Sequence, residues 1–506
     1  MRGTSGQRAS LLHLLPPLVL LVGAAVRLQT VLNPDVAWLL VAAGRMLDGG
    51  SYARDFFEIN MPWSIAAYIP PNLLARFLGC SIPHALTLWT LLLALQSALL
   101  CLLVSPPAGV ADQGHKPLSA VYLLFALIFL PLGDFGQKEH LAVMLFLPFL
   151  FHLARDQAAG KLLRIYISAL AAFGFFMKPH FAPLPALLFA AAAYRRRSLA
   201  PLRSTEALVL VLAALADAIL VMVRYPDWFR CADWAQDLYS AYRSPQWQWV
   251  LLTPQTGLLA LMAVPCLARA WADRAYRAAA WPLLLAALYS ALAYMLQFKG
   301  WSYQLLPALV TMFVALGQSF LIRPAAAPGG GRAWLVAAAA ACLLVLAQVA
   351  VMNRQLPKAS NLAKTNLAPV ALGLSFAPKG GYVYVFTTNM TPAFPTVVLL
   401  DLKWASRFAT LWPLAGIAAD RPEAADSAYA QGLAQAVTED FLRYRPDVVL
   451  VDLRDDQFGL PRHYDILGFF LRDNHFASVW RDYRQFGAVD GYAVYRLAPA
   501  PPVRGK

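Results

Sequence analysis

Three carboxylates stand in a stretch that is otherwise rich in aromatic residues. Asp35 lies in Asn33-Pro34-Asp35-Val36-Ala37-Trp38, and Asp55 and Glu58 lie in Gly49-Gly50-Ser51-Tyr52-Ala53-Arg54-Asp55-Phe56-Phe57-Glu58-Ile59-Asn60-Met61-Pro62-Trp63. One carboxylate in such a setting can take a proton from a hydroxyl as a general base. Two more can orient hydroxyl groups or begin a divalent-ion site, for which two ligands are an incomplete set. The plainer reading gives these residues no chemistry: Arg45 and Arg54 pair with them in a solvated loop, where ion pairs contribute little. Three short segments add cations: Gly136-Gln137-Lys138-Glu139-His140, Met177-Lys178-Pro179-His180 and Gln297-Phe298-Lys299-Gly300-Trp301-Ser302-Tyr303. Taken singly, each reads as an interfacial lysine with aromatic anchors. Together they offer Lys138, His140, Lys178, His180 and Lys299 to an anion.

The elements that must position these residues follow from composition. Of 506 residues, 59% are hydrophobic and 14% charged, with mean hydropathy +0.53, which is too apolar for a soluble chain. The net charge of +14 sits mainly in short segments between apolar runs, so it reads as a topology signal and not as a nucleic-acid surface. About eleven runs approach the length of roughly 20 residues that a membrane span requires. They lie near 11–28, 85–104, 118–132, 141–154, 162–177, 181–194, 207–223, 253–267, 279–296, 303–322 and 333–352. The first follows Arg2 and Arg8 and is read as a retained anchor, although a signal peptide has a similar pattern.

Basic loops collect on the cytoplasmic side. With the N-terminus inside, that side receives His115-Lys116, Arg155 to Arg164, Arg195 to Arg203, Arg269 to Arg277 and Arg323 to Arg332. The extracytoplasmic face then receives the long loop 29–84, the three lysine-bearing turns, the aromatic stretch 224–252 and everything after the last span. Three outer lysines run against the usual inside bias, which favours a local anion as their cause. In stretch 224–252, Trp228, Trp234, Tyr239, Tyr242, Trp247 and Trp249 suit either sugar stacking or a headgroup belt.

Within the long loop, 36–47 and 65–78 have helical patterns. Residues 1–352 thus form a transmembrane module, and 353–506 an extracytoplasmic α/β domain. In that domain 382–386 and 447–451 read as buried strands, 424–444 as a helix, and 477–497 as two further strands around a turn at 487–491. No glycine-rich phosphate loop opens its helices. The five cysteines have no metal-ligand spacing, though Cys80 and Cys231 both fall in loops assigned to the outer face, where a disulfide can form. His84, His115, His152, His463 and His475 show no paired spacing for a metal.

The first outer loop resembles that of the membrane-embedded glycosyltransferases of the GT-C fold, among them protein O-mannosyltransferases, lipid A aminoarabinose transferases and rhizobial lipopolysaccharide transferases. Asp35 stands at that family's acidic position after the first span, and Gly50-Ser51-Tyr52-Ala53-Arg54-Asp55 with Pro62 matches its Gly-x-Tyr-x-Asp stretch running into proline. Arg407 to Trp412 is a weaker match. The chain has Asp35-Val36 where many members have Asp-Glu, and Met61-Pro62 where they have a double proline.

The resemblance implies an inverting transferase that moves a sugar from a polyprenyl-phosphate carrier to an extracytoplasmic glycan, lipid or protein. Asp35 would be its base, and Asp55 and Glu58 would orient substrate or a divalent cation. Lys138, His140, Lys178, His180 and Lys299 would hold the phosphate, and Tyr52, Trp301 and Tyr303 would contact sugar or lipid. The rival class is a transporter or lipid flippase, which expects internal repeats and midplane charges. The span order has no repeat, and the charges gather at one face.

Overall fold

The computed structural model describes residues 12–104, 115–154, 159–242, 246–322, 331–420 and 427–498. Arg2, Arg8, Leu11, Arg155, residues 323–330 and the first residues of the helical pattern at 424–444 lie outside the described residues. Contacts divide the chain into two units. The first comprises Met1–Thr30, Pro62–Met222 and Ser244–Leu356; the second comprises Val31–Met61, Val223–Arg243 and Pro357–Lys506. The sequence boundary at 352/353 kept 31–61 and 223–243 with the membrane part, whereas by contact both segments fold with the C-terminal stretch.

In the first unit, each of the eleven apolar runs coincides with a helix: Leu15–Gln29, Ile82–Val104, His115–Ile128, Lys138–Leu153, Lys161–Phe176, Pro183–Arg196, Thr205–Arg224, Pro254–Ala272, Arg274–Gln297, Ser302–Leu321 and Gly331–Gln355. Among the described residues, five helices are long and apolar enough to cross a membrane by length and composition. Helices suit such runs because a lipid-facing backbone must satisfy its own polar groups. The chain is a multi-pass membrane protein.

Two helices form the centre of this unit. Lys138–Leu153 is buried from Lys138 through His152, and Ser302–Leu321 is buried along most of its length. By contrast, Thr205–Arg224 exposes Leu208, Leu212, Leu215 and Ile219, and Gly331–Gln355 exposes Leu343, Leu344 and Val351, as lipid-facing helices should. Close packing at the centre depends on small residues. A Cβ on Gly174 would lie 2.7 Å from the Ala142 carbonyl oxygen of Lys138–Leu153.

Polar side chains close the helix ends. Buried Arg27 donates to the Ile128 carbonyl at 2.9 and 2.6 Å and to the Leu132 carbonyl at 2.7 Å, satisfying acceptors that the end of His115–Ile128 leaves over. Glu206 accepts from Arg164 at 2.7 Å through both oxygens and pairs with His152 at 2.6 Å, which joins three helices.

The second unit is built on a five-stranded sheet ordered β2-β1-β3-β5-β4, with β1 Tyr382–Phe386, β2 Lys403–Trp404, β3 Val448–Asp452, β4 Tyr483–Val489 and β5 Tyr492–Leu497. β2, β1 and β3 are parallel, while β5 runs antiparallel to β3 and β4. β3 is buried at every position, as its unbroken apolar run requires. Helix Ala428–Tyr444 lays Phe441 against Tyr384 and Phe386, and Phe470, Phe476 and Trp480 complete the aromatic core. Helix Pro34–Leu47 buries Trp38 against Phe394 at 5.8 Å. Cys80 and Cys231 are both free thiols.

Candidate functional site

The carboxylates belong to the second unit. Asp35 lies in the first turn of Pro34–Leu47, where Asn33 caps the helix by accepting from the Asp35 amide at 3.0 Å. Trp38 follows one turn later on the same face, and its Nε1 donates to Glu58 at 2.5 Å. Glu58 also accepts from the Asn60 amide at 2.9 Å and the Asn60 side chain at 2.5 Å. The phenol of Tyr239 is raised well above its usual range by burial, then by the negative charge of Asp35, by Tyr242 and by Glu58. It therefore stays protonated as a neighbour of both carboxylates.

Asp55 is set differently. Its carboxylate accepts from the Ser51 amide at 2.8 Å and pairs with Arg443 at 2.7 Å. Burial acts to raise its pKa, but the Ser51 amide, Arg443 and Arg54 together hold it below the ordinary value. Arg45, expected to neutralise the acids, instead donates to the carbonyls of Asp55 and Ser406, both at 2.6 Å, and to that of Trp404. Arg407 is held by Asp440 at 3.0 Å and Glu439 at 2.8 Å, and its carbonyl accepts from the Phe57 amide at 2.6 Å. The acidic loop is thus pinned to helix Ala428–Tyr444 and to the segment after β2. Tyr52 is buried, with its hydroxyl on the Asn60 carbonyl at 2.9 Å and its ring against Phe56 and Tyr225, so it serves the loop's own core.

A divalent ion held by protein oxygens needs about six ligands. The oxygens of Asp55 and Glu58 are already taken up by Arg443, Ser51, Trp38 and Asn60. Among the described residues, no group of three or more His, Cys, Asp or Glu side chains is arranged to hold a metal. This donor set does not fit a metal.

The cations belong to the first unit, where the three turns converge. Lys138 and Lys178 lie over the same ring, Tyr303, at 5.8 and 5.3 Å, and Lys299 lies over Trp301 at 4.9 Å. The Trp301 and Tyr303 rings are 5.8 Å apart. Lys178 also forms an ion pair with Glu139, whose side chain is fully buried. Local backbone chemistry sets these positions. Pro179 excludes the helical region for Lys178, which is extended at φ −139°. Gly300 adopts φ +72° only 2.7 Å from the Trp249 carbonyl, measured from where a Cβ would stand, so no larger residue fits between Lys299 and Trp301.

His180 joins this cluster. Burial, then the charges of Lys178 and Lys299, push its pKa down to about 3, so the imidazole is neutral. His140 does not join it. Its Nδ1 accepts from the Gly136 amide at 3.0 Å and its Nε2 meets the Leu127 carbonyl at 2.7 Å. With both ring nitrogens engaged, it shapes the Gly136 turn that leads into Lys138.

The sequence matches no family model, and no curated protein matches it significantly. Solved structures are similar. ArnT from Cupriavidus metallidurans in the apo state covers 99% of this chain and 100% of its own, with TM-score 0.52 and 13% identity. The chain has the GT-C fold. ArnT bound to undecaprenyl phosphate covers 97% of this chain and 99% of its own, with TM-score 0.50 and 13% identity. The mycobacterial arabinofuranosyltransferase AftD covers 95% of this chain and 40% of its own at 15% identity, with a TM-score of 0.39, too low to bear on the GT-C assignment.

Sequence reasoning missed Arg443, whose pairing with Asp55 joins positions 388 residues apart and leaves no local signal. It named Tyr239 only as one of six loop aromatics; its neighbourhood with Asp35 emerges from the fold.

Proposed function

We propose that this protein is an inverting glycosyltransferase that takes a sugar from a polyprenyl-phosphate carrier and passes it to an extracytoplasmic acceptor. The observation that carries the reading is the convergence of Lys138, Lys178 and Lys299 on the paired rings of Trp301 and Tyr303, in a GT-C fold shared with a protein solved bound to undecaprenyl phosphate. Three lysines at the ends of apolar helices, one of them also paired with Glu139, suit a lipid-linked phosphate because ammonium groups make charge-assisted hydrogen bonds to its oxygens.

In this reading the acceptor hydroxyl gives its proton to Asp35 as its oxygen attacks the anomeric carbon. The new carbon–oxygen bond forms as the bond from that carbon to the phosphate oxygen breaks, with inversion. The polyprenyl phosphate leaves with the electron pair, a charge that bound cations stabilise. Neutral His180 adds no charge but can hydrogen-bond a phosphate oxygen. Asp55 and Glu58 hold the loop that carries this chemistry, and His140 holds the Lys138 turn. In this reading the N-terminus lies in the cytoplasm, the eleven helices span the inner membrane and the second unit is extracytoplasmic, a topology that the basic loops support.

The test is turnover by purified protein offered a panel of polyprenyl-phosphate hexoses and pentoses. Release of polyprenyl phosphate from at least one donor supports the reading. Failure across the panel by folded protein, in the presence of glycan, lipid and peptide acceptors, contradicts it.

A further inference from the structure

The aromatic segment Val223–Arg243 and the C-terminal edge of the parallel strands meet within the second unit, and neither takes part in the proposed transfer step. The ring of Trp412 is 6.3 Å from Phe57 of the acidic loop and 5.7 Å from Tyr239. Tyr239 is 5.0 Å from Tyr242, and Tyr242 is 5.3 Å from Phe458. These contacts form one continuous ladder of five rings, which runs from Phe57 through Trp412, Tyr239 and Tyr242 to Phe458, a side chain 47% exposed; its middle ring, Tyr239, is a neighbour of Asp35 and Glu58.

The far end of the ladder is built. Tyr242 is fixed by its hydroxyl, which donates to the Trp412 carbonyl at 3.2 Å, and the Phe458 carbonyl accepts from Thr388 at 2.6 Å. Thr388 follows β1 and Phe458 follows β3, so this end lies at the carboxyl edge of the parallel strands, where open α/β sheets bind ligands. Polar groups precede it in the same segment. Asp452 at the end of β3 is gripped by Arg454 at 2.8 and 2.6 Å and accepts from Thr387 at 3.2 Å, and Asp455 and Asp456 follow on the same turn. A core needs no aromatic side chain left half in solvent in an acidic segment, whereas a sugar needs both an apolar face to stack on and polar groups at its rim.

We propose that this ladder is a glycan subsite: a chain of sugar rings stacks along Phe458 and Tyr242 and brings its terminal hydroxyl toward Tyr239 and Asp35, so that the acceptor is an oligosaccharide. The step toward an acceptor rests on the transferase reading, but glycan binding at Phe458 does not.

The test therefore reads binding without turnover. Saturation-transfer NMR is run on the full-length protein in detergent with maltohexaose, laminarihexaose and chitohexaose as probes, for wild type, Phe458→Ala and Phe458→Trp. Phe458 is exposed, so truncation leaves the fold intact, and an unchanged unfolding transition verifies this. The expected result is saturation of at least one probe by wild type, about a tenfold weakening in Phe458→Ala, and recovery in Phe458→Trp, which keeps a stacking face. No saturation of any probe by wild type, or equal binding by wild type and Phe458→Ala, overturns the subsite. Turnover that uses only a peptide or a sugar-free lipid acceptor also overturns it while leaving the transferase reading in place. The converse result, glycan binding with no donor turnover, would sink the transferase reading alone.

Discussion

Removing the charge of Glu58 should loosen the helix that carries Asp35, and the size of the effect follows from the contacts. Glu58 accepts three hydrogen bonds in a buried setting, from Trp38 Nε1 and from the amide and side chain of Asn60. A hydrogen bond to a charged group contributes about 1.5–3 kcal/mol, and a buried donor left unsatisfied costs a similar amount. In Glu58→Gln one carboxylate oxygen becomes an NH2 group facing a donor, so at least one of these bonds is lost, at about 2–3 kcal/mol. Trp38→Phe removes the N–H and costs about the same, with some lost packing. If both changes act through the Trp38–Glu58 bond, the double variant costs less than the sum of the singles by about 2 kcal/mol. Pulse proteolysis in urea on the detergent-solubilised protein measures the four stabilities. A coupling below about 0.5 kcal/mol, the range of independent sites, would refute the assignment of Glu58 as the pin of this helix.

Other consequences can be checked alongside. Lys178→Ala should raise the KM for a polyprenyl-phosphate donor about 10- to 100-fold, the loss expected for one charge-assisted contact, with Km for the acceptor unchanged in steady-state assays. Because Ser51 and Arg443 hold the Asp55 carboxyl below its unfolded value of about 3.9, its ionisation stabilises the fold above that pH, and the stabilisation is lost as pH falls through the lower folded pKa. Asp55→Asn should therefore lower stability at pH 6 and flatten its fall as the pH drops below about 4 in denaturant titrations. In a background lacking Cys80, Ser81→Cys and Ser198→Cys should react with a membrane-impermeant maleimide from opposite sides; labelling from one side would overturn the topology.

Hydropathy made the helices legible, because lipid demands helical runs whatever their packing, and all eleven runs are helices. The strands at 382–386 and 448–452 were legible for a related reason: short β-branched and aromatic runs have no other buried solution. The partition was not. Val31–Met61 and Val223–Arg243 join the C-terminal stretch through the carbonyls that receive Arg45, the Arg407 carbonyl and the Trp38–Phe394 contact, none of which leaves a local pattern. The lysine turns were legible as three separate cations, but only the fold brings Lys138 and Lys178 to one ring. His140 reads in sequence like His180, since both follow a lysine by two residues. Their difference lies in partners more distant than any motif reaches: Leu127 and Gly136 for the first, Lys178 and Lys299 for the second.

The most direct test of the central claim compares wild type and Asp35→Asn in a single turnover of a polyprenyl-phosphate sugar that the wild type accepts, with donor binding measured on the same preparations. Loss of the proton acceptor predicts a fall in transfer of about 10²- to 10⁴-fold with donor affinity kept within about threefold. Transfer by Asp35→Asn at a rate near wild type would contradict the account of this residue as the base.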